Sequence, residues 1–228
     1  MRVDIQGAKK RFGHVTALRG VDVAIPAGGR VALVGPNGSG KSTLIRTLLG
    51  LIDYQGTVLL DGRSPYDDRV ELASMLAYVP QVAPALSATV DEVVRLISAT
   101  RGLEAEEIAR VAALFDLDLA LAGAQPFKNL SGGMKQKLLL SAAFAATPRL
   151  LVLDEPTASL DVRAREQFFT LCNALDPNVT VLLCSHRVEE LRHLATRVIA
   201  LEDGRVTFDG PADEYLRHTE ASVMVAHV

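Results

Sequence analysis

The chain has few cysteines, little net charge and only one dense basic run. Its two cysteines, Cys172 and Cys184, lie in apolar surroundings without the spacing of metal ligands, so we expect buried thiols in a cytosolic protein rather than a disulfide. A formal charge of −3 gives no electrostatic reason to expect nucleic-acid binding. The basic run, Lys9, Lys10 and Arg11, is typical of a solvated face. The composition therefore argues against a disulfide scaffold and against a nucleic-acid clamp.

Long apolar runs are also missing. No run approaches the ~18 residues that a membrane-spanning helix needs, because the apolar stretch at 138–146 is short and contains Ser141. Residues 1–4 lack the charged-then-apolar pattern of a secretory signal. We therefore expect a cytoplasmic protein, and any membrane-embedded part of its function belongs to another polypeptide.

In size and overall composition the chain is an ordinary globular protein. With 228 residues, 49% hydrophobic and 22% charged, it suits one domain, or one domain with an inserted subdomain. Apolar runs that are alternating or continuous predict strands at 2–8, 16–23, 31–34, 56–61, 76–79, 150–153, 179–184, 198–201 and 205–208. Apolar residues at helical spacing predict helices at 41–51, 89–100, 104–115, 131–146, 162–175 and after Arg187.

The order of these segments predicts an α/β fold. The two alternating segments before the turn at 26–29 predict an amino-terminal antiparallel β-subdomain. Residues 84–148 hold only predicted helices and form an inserted helical subdomain. Strands and helices alternate before and after this insertion, which predicts a mainly parallel sheet flanked by helices. We thus expect one domain over 1–228, with the β-subdomain and core at 1–83 and 149–228.

A glycine-rich loop lies between the predicted strand 31–34 and the predicted helix 41–51. It fits the pattern G-x-x-x-x-G-K-[ST] with Gly35, Pro36, Asn37, Gly38, Ser39, Gly40, Lys41, Ser42 and Thr43. The glycines let backbone N–H groups converge on phosphate oxygens at the positive end of the helix. Lys41 can then reach the β- and γ-phosphates of ATP, and the Ser42 hydroxyl can bind Mg²⁺. A glycine-rich turn without a ligand is the alternative, which this strand–loop–helix context disfavours.

Two carboxylates, Asp154 and Glu155, end the apolar strand predicted at 150–153. Strands of a parallel sheet deliver such residues to the carboxyl edge, where a phosphate loop also lies. Asp154 is then placed to hold Mg²⁺, and Glu155 can face the γ-phosphate and polarise the attacking water. The alternative is a pair of acidic residues that only cap the strand.

A second candidate phosphate site precedes the predicted helix 131–146. Ser131 offers a hydroxyl, Gly132 and Gly133 allow close approach, and the helix dipole favours an anion. The same three residues also make a good helix entry without any ligand. One chain cannot easily use both phosphate sites on one nucleotide.

In this order the three motifs resemble those of the ATPase subunits of ABC transporters, and the resemblance covers essentially the whole chain. Ser131, Gly132 and Gly133 match the signature motif that distinguishes this family from other P-loop proteins. Met134 stands where the family usually has Gln, which leaves the phosphate-contacting residues intact. Residues 134–138 resemble the ATPases that serve ABC-2-type export permeases. The resemblance implies Mg²⁺-dependent hydrolysis of ATP to ADP and phosphate.

The resemblance also implies roles for three single residues. Gln81 resembles the Q-loop glutamine, which approaches Mg²⁺ and the attacking water; an ordinary loop amide is the alternative. His186 resembles the switch histidine that contacts the γ-phosphate, against a purely structural His after a strand. Phe12 resembles the aromatic residue that stacks on adenine, where Tyr is commoner but any π-face serves. The alternative for Phe12 is a half-buried strand aromatic.

Two kinds of protein partner follow from the resemblance. In the family two ATPase domains pair head to tail, so that each ATP lies between the P-loop of one and Ser131, Gly132 and Gly133 of the other. Ser159, Leu160 and Asp161 resemble the D-loop that crosses this dimer interface, or form a helix cap, or do both. The resemblance implies a homodimer bound to a separate transmembrane permease on the inner face of the membrane.

Two other function classes share these motifs. An ABC ATPase that acts on DNA or the ribosome usually carries a long coiled coil or a second ATPase domain, and this sequence shows neither pattern. An ABC ATPase that drives a regulatory or mechanical membrane complex differs in its partner, so co-purification with a polytopic permease or with a bitopic enzyme discriminates these two. The motifs carry no information on cargo, on transport direction or on the role of residues 218–228.

Overall fold

The computed structural model describes residues 1–225, and the chain forms two compact units. Met1–Ala73 and Asp176–Val228 make up the first unit, and Ser74–Leu175 make up the second. The first unit contains β1 (Val3–Phe12), β2 (Val15–Ile25), β3 (Arg30–Val34), α1 (Lys41–Leu48), β4 (Gln55–Leu60), α2 (Arg69–Ala73), β7 (Thr180–Cys184), α8 (Val188–Leu194), β8 (Arg197–Glu202), β9 (Arg205–Pro211) and α9 (Ala212–Val225). The second contains β5 (Leu76–Val79), α3 (Val90–Arg101), α4 (Ala105–Leu114), α5 (Leu119–Ala122), a 3-10 helix (Phe127–Asn129), α6 (Gly132–Ala145), β6 (Leu150–Asp154) and α7 (Val162–Asn173).

The first unit has an antiparallel sheet in the order β2-β1-β4. Val3 pairs with Ile25 of β2 and with Leu60 of β4, and all three side chains are buried. The alternation of apolar and polar residues therefore directs one face of the sheet inward. The predicted antiparallel pair is confirmed, and the strand predicted at 56–61 is β4, which pairs with β1 as the third strand of this sheet.

The first unit also has a parallel set of strands, β7-β3-β8, extended by β9, which pairs antiparallel with β8. β3 is a continuous apolar run, and its residues 31–34 are all buried, as expected of a strand covered on both faces. Leu33 lies opposite Cys184 of β7, and Val34 lies opposite Ala200 of β8. The loops that follow β3 and β7 therefore leave the sheet at the same edge.

In the second unit, β5 and β6 pair in parallel, with Val79 opposite Leu153. Helices α3 to α6 pack around a buried cluster that includes Val90, Ile108, Phe127 and Leu138. The predicted helices at 89–100, 104–115 and 131–146 are each confirmed to within about one residue. Helix α3 begins with a capping box, since Thr89 Oγ1 accepts from Glu92 N (3.2 Å) and Glu92 Oε2 accepts from Thr89 N (2.8 Å).

Several helix boundaries differ from the predicted ones. Helix α1 ends at Leu48 and not at residue 51, because Gly50 turns into the left-handed region at φ 66° and ends the helix. Helix α7 ends at Asn173 and not at residue 175. The sequence patterns missed α2, α5, α9 and the 3-10 helix. The short α2 and α5 have five and four residues, too few to show a helical period.

Helix α9 contains part of the segment at 218–228 whose role the sequence leaves open. Its first residues pack on the sheet of the first unit, where Ala212 and Leu216 are buried with Ala32 and Val198. Residues 226–228 lie outside the described part of the chain. Cys172 and Cys184 are both buried thiols, as predicted. Within residues 1–225, no helix is both long enough and apolar enough to cross a membrane.

Candidate functional site

The glycine-rich loop 35–43 follows β3 and adopts a backbone that only glycines accept at two key places. Gly35 has φ 141°, and a Cβ there would collide with the carbonyl oxygen of Leu201. Gly40 has φ 107°, and its Cβ would lie 2.5 Å from the carbonyl oxygen of Ala17. The chain can therefore curl tightly between β3 and α1 only because side chains are absent at these positions.

Helix α1 starts directly after Gly40, which lies at its N-cap position. Because Gly40 has no side chain to cap the helix, the first backbone N–H groups of α1 remain available to an external acceptor. These N–H groups and the helix dipole together favour an anion such as phosphate. Ser42, in the first turn, is exposed.

Lys41 lies folded over the loop that precedes it. Its Nζ donates to the carbonyl oxygens of Gly35 (2.7 Å) and Pro36 (2.9 Å). An ammonium group has three donors, so Lys41 keeps a donor for a phosphate oxygen while it holds the loop. The positive charge thus lies beside the positive end of α1.

Ser39 is the buried residue of the loop. Its carbonyl oxygen accepts from Gly204 N (3.0 Å), and Gly204 O accepts from Arg19 N (2.8 Å), which ties the loop to the β8–β9 turn and to β2. Among the described residues, the buried Ser39 Oγ has no hydrogen-bond partner. A buried hydroxyl without a partner is costly, so the loop fits a ligand rich in acceptor oxygens.

His186 lies at the same sheet edge as the loop 35–43, because β3 and β7 are parallel neighbours in register. It follows β7 after the buried Ser185, and its side chain is exposed. Ser185 Oγ accepts from Arg187 N (3.0 Å), which fixes the turn that presents the imidazole. Sequence order alone placed His186 after a strand, and the structure places that strand beside β3.

Phe12 ends β1, and its ring is 45% exposed. Lys10 Nζ lies 5.0 Å from the ring centroid and 2.6 Å from Asp53 Oδ1. The hydrogen bond from Lys10 lowers the pKa of the Asp53 carboxyl. The basic run at 9–11 is thus more than a solvated face, because Lys10 joins an ion pair and lies beside an exposed aromatic ring.

The carboxylates at the end of β6, Asp154 within the strand and Glu155 directly after it, lie in the second unit together with Gln81. Val79 is opposite Leu153 in the parallel pair β5–β6, so Gln81, Asp154 and Glu155 leave these strands at one edge. Asp154 is 7% exposed and Glu155 is 9% exposed. Glu155 has φ 47°, a left-handed conformation that costs a non-glycine residue about 1–3 kcal/mol and is typical of functional sites.

The candidate phosphate site at the start of α6 has the geometry of a helix entry. Ser131 is the N-cap of α6, and its Oγ accepts from Met134 N (3.1 Å). Gly132 is exposed. Met134 packs against the buried cluster of α3 to α6, which explains why an apolar residue is accepted at this place. The helix-entry alternative is therefore present, and it leaves Ser131 and Gly132 exposed and Gly133 partly buried.

The segment 159–161 packs against this helix entry. A Cβ on Gly133 would lie 2.9 Å from the carbonyl oxygen of Ser159. Asp161 caps α7, since its Oδ1 accepts from Ala164 N (2.8 Å), so the helix-cap alternative is confirmed for this residue. Leu160 is buried within the chain, whereas Ser159 is exposed. Lys137, which sequence patterns did not single out, forms an ion pair with Asp161 at 2.9 Å.

Comparison with known proteins gives one family and many relatives. The family model described as "ABC transporter" matches residues 18–158. The chain is 38% identical over 214 residues to the aliphatic sulfonates import ATP-binding protein SsuB of Pseudomonas fluorescens, covering 92% of this chain and 76% of that protein. It is 39% identical over 209 residues to the cobalt import ATP-binding protein CbiO of Rhodobacter capsulatus, covering 88% and 75%.

Solved structures of known proteins have the same fold as this chain. An ATP-binding subunit of an ABC transporter superposes with a TM-score of 0.85 at 26% identity, covering 96% of this chain and 94% of that one. A dimeric ATP-binding cassette in a post-hydrolysis state, bound to ADP and Pi, superposes with a TM-score of 0.79 at 26% identity, covering 92% and 98%. The predicted P-loop α/β fold, with its antiparallel β-sheet and mainly parallel sheet, is confirmed.

Proposed function

Because this chain belongs to the ABC transporter family of ATP-binding, ATP-hydrolysing subunits, we propose that it uses Mg²⁺ and ATP to drive a separate membrane-embedded permease. The observation that supports this most is the presence in one chain of two helix entries suited to a phosphate, at 35–43 around the start of α1 and at 131–133 around the start of α6. A single nucleotide has no use for both within one molecule, whereas a head-to-tail pair of molecules uses all four.

We propose that the loop 35–43 binds the triphosphate of ATP. Its backbone N–H groups would donate to phosphate oxygens, and so would the Ser39 hydroxyl, which has no hydrogen-bond partner within residues 1–225. Lys41 exchanges part of its contact with the loop carbonyls for the β- and γ-phosphates, as a point charge does readily. Phe12 supplies an exposed π-face for the adenine.

Ser42, Asp154 and Gln81 are the residues that would hold Mg²⁺. Each offers a hard oxygen ligand, a hydroxyl, a carboxylate and an amide oxygen respectively, which is the donor set that Mg²⁺ prefers. When bound, Mg²⁺ neutralises charge on the phosphate groups. The buried position of Asp154 fits a carboxylate that is compensated by a cation.

Glu155 is the proposed general base of hydrolysis. It orients a water molecule and takes its proton as the water oxygen bonds to the γ-phosphorus and the bond to the β–γ bridging oxygen breaks. His186 contacts the γ-phosphate and stabilises its developing charge. The left-handed backbone of Glu155, directly after β6, is a strained conformation of the kind found at functional sites, which supports this role.

The shared chemistry of the relatives supports the proposed partners. Import ATP-binding proteins for sulfonates and for cobalt, and an exporter with ATP bound, resemble this chain over most of its length. We propose that cargo selection belongs to the permease, and that this chain pairs as a homodimer on its cytoplasmic side. The exposed residues Ser131, Gly132 and Ser159 would face the second copy.

The direct test is phosphate release from the purified chain. We expect ATP to be hydrolysed in the presence of Mg²⁺, and we expect excess chelator to stop the reaction and added Mg²⁺ to restore it. Hydrolysis at the same rate in chelator would contradict the metal assignment. Absence of hydrolysis under every metal condition would contradict the proposed function.

Phe12→Ala is expected to weaken ATP binding, because base–aromatic stacking contributes about 1–3 kcal/mol per base, about fivefold to a hundredfold in Kd. Phe12→Tyr keeps the π-face and should bind ATP as the unmodified chain does. A titration with ATP monitored by calorimetry measures both. Equal ATP affinity of Phe12→Ala and Phe12→Tyr would contradict stacking on adenine and would favour the alternative that Phe12 is a half-buried strand aromatic.

A further inference from the structure

The end of β1, in the first unit, holds a lysine whose charged side chain is largely buried. The Lys10 side chain is 10% exposed, and its Nζ donates to Asp53 Oδ1 at 2.6 Å. Asp53 lies in the connection between α1 and β4, and its own side chain is 80% exposed. Burial of an ammonium group is costly unless the group is paired, so Asp53 compensates the charge and fixes its place. We call this contact the Lys10–Asp53 pair.

The same ammonium group lies at the ring of Phe12. The distance from Lys10 Nζ to the ring centroid is 5.0 Å, within the ~6 Å over which the face of an aromatic ring attracts a cation. Because the Lys10–Asp53 pair holds the ammonium group, the cation stays in one place beside the ring. Its attraction therefore favours one orientation of the ring over the others.

The strand pairing at Phe12 leaves the ring partly exposed. The register of β1 and β2 shifts between Lys10 and Arg11, and such irregularities change the direction of nearby side chains. Phe12 then pairs with Val15 at the end of both strands, where Phe12 is 45% exposed and Val15 is 67% exposed. A ring beside so exposed a neighbour is held by fewer packing contacts than a core ring. The contact with Lys10 is therefore important for the orientation of this ring.

We propose that Lys10 is a positioning residue for the adenine base, and that it acts through Phe12. The Lys10–Asp53 pair holds the ring in the orientation in which its opposite face stacks on adenine. This inference rests on the proposed function, in which Phe12 binds the base. It adds that part of the affinity for ATP comes from two residues that touch neither the base nor the phosphates. A side chain that is already immobilised before binding improves affinity by about twofold to tenfold.

Lys10→Met tests this, because methionine keeps an apolar stem and removes the charge that faces Asp53 and Phe12. We expect its Kd for ATP to rise about twofold to tenfold. Its Kd for inorganic tripolyphosphate, which has the phosphates but no base, should stay at the unmodified value. Lys10→Arg can pair with Asp53 and lie against the ring, so it should retain most of the affinity for ATP. Calorimetric titration with each ligand measures these constants.

Lys9→Met is the matched control. It makes the same chemical change on the preceding residue of β1, which is exposed, and removes the same charge from the surroundings of the phosphates. Its Kd for ATP should be unchanged.

Two further variants test the path from Lys10 to the base. Asp53→Asn releases the ammonium group without changing Lys10, and it should weaken ATP binding in the same direction as Lys10→Met. Phe12→Ala combined with Lys10→Met should bind ATP as weakly as Phe12→Ala alone. A residue that acts through the ring has no further effect once the ring is absent.

The outcomes separate this inference from the proposed function and from an ion pair that only ties β1 to the segment before β4. Unchanged ATP affinity in Lys10→Met would overturn the inference and leave the proposed function intact. So would equal losses for ATP and tripolyphosphate, because a weakened fold or a direct contact with phosphate affects both ligands. A further loss when Lys10→Met is added to Phe12→Ala would show that Lys10 does not act through the ring. An unmodified chain that binds no ATP would refute the proposed function, and the inference with it.

Discussion

Glu155→Gln is expected to bind ATP with nearly unchanged affinity and to release almost no phosphate. The amide is isosteric with the carboxylate but cannot take a proton from water, and removal of a general base typically costs about 10²–10⁴-fold in rate. Glu155 contributes a buried carboxylate at the end of β6, so loss of its charge also removes repulsion against the phosphates. The variant should accumulate as an ATP-bound dimer, because binding proceeds while hydrolysis cannot reopen it.

Phosphate release and light scattering measure the two effects on one sample. With ATP and Mg²⁺, the mass of Glu155→Gln measured by light scattering should be about twice its mass with ADP. Its ATP turnover should be near the background. Glu166→Gln makes the same chemical change on an exposed position of α7 and should behave as the unmodified chain. Turnover of Glu155→Gln at the unmodified rate would show that Glu155 is not the base.

Lys41→Ala should weaken nucleotide binding itself. Charge-assisted hydrogen bonds contribute about 1.5–3 kcal/mol, so the loss of Lys41 should raise the Kd for ATP by about tenfold to a hundredfold. The lysine also holds the loop through the carbonyl oxygens of Gly35 and Pro36, and its removal loosens the loop. Affinity for ADP should fall less than affinity for ATP, because the γ-phosphate is the contact that ADP lacks.

Calorimetric titration with ATP measures this effect. Arg110→Ala removes a cation from an exposed position of α4 and serves as the matched control, with no change in Kd expected. An unchanged ATP affinity in Lys41→Ala would refute the role of this lysine, whatever the turnover of the variant.

The parts of the site whose structure depends only on residues adjacent in the sequence could be predicted from the sequence. The apolar run of β3, the glycines after it and the start of α1 all lie within residues 31–48, and local chemistry decides their structure. The same holds for Asp154 and Glu155 at the end of β6 and for Ser131 at the start of α6. The structure of each motif is determined by one turn and the strand or helix next to it.

Features that depend on contacts between distant segments could not be predicted. Lys137 and Asp161 pair only because α6 packs beside the loop after β6, and their spacing in sequence has no periodic signal. The burial of Leu160 and the packing of Met134 also depend on tertiary neighbours. Helix α1 ended early because Gly50 adopts a left-handed backbone, which a helical pattern of apolar residues does not reveal.

Mixing two variants, each damaged at a different phosphate site, tests the shared use of these sites most directly. Lys41→Ala damages the P-loop, and Gly132→Glu places a negative charge at the second site, where a side chain fits because the nearest atom to a Cβ, Ser159 Oγ, lies 3.8 Å away. In a head-to-tail dimer of one copy of each, one composite site is intact. An equal mixture should therefore recover about a quarter of the unmodified ATP turnover, if pairing is random and the sites act independently. A mixture no more active than the separate variants would contradict the claim that two copies of this chain share each ATP.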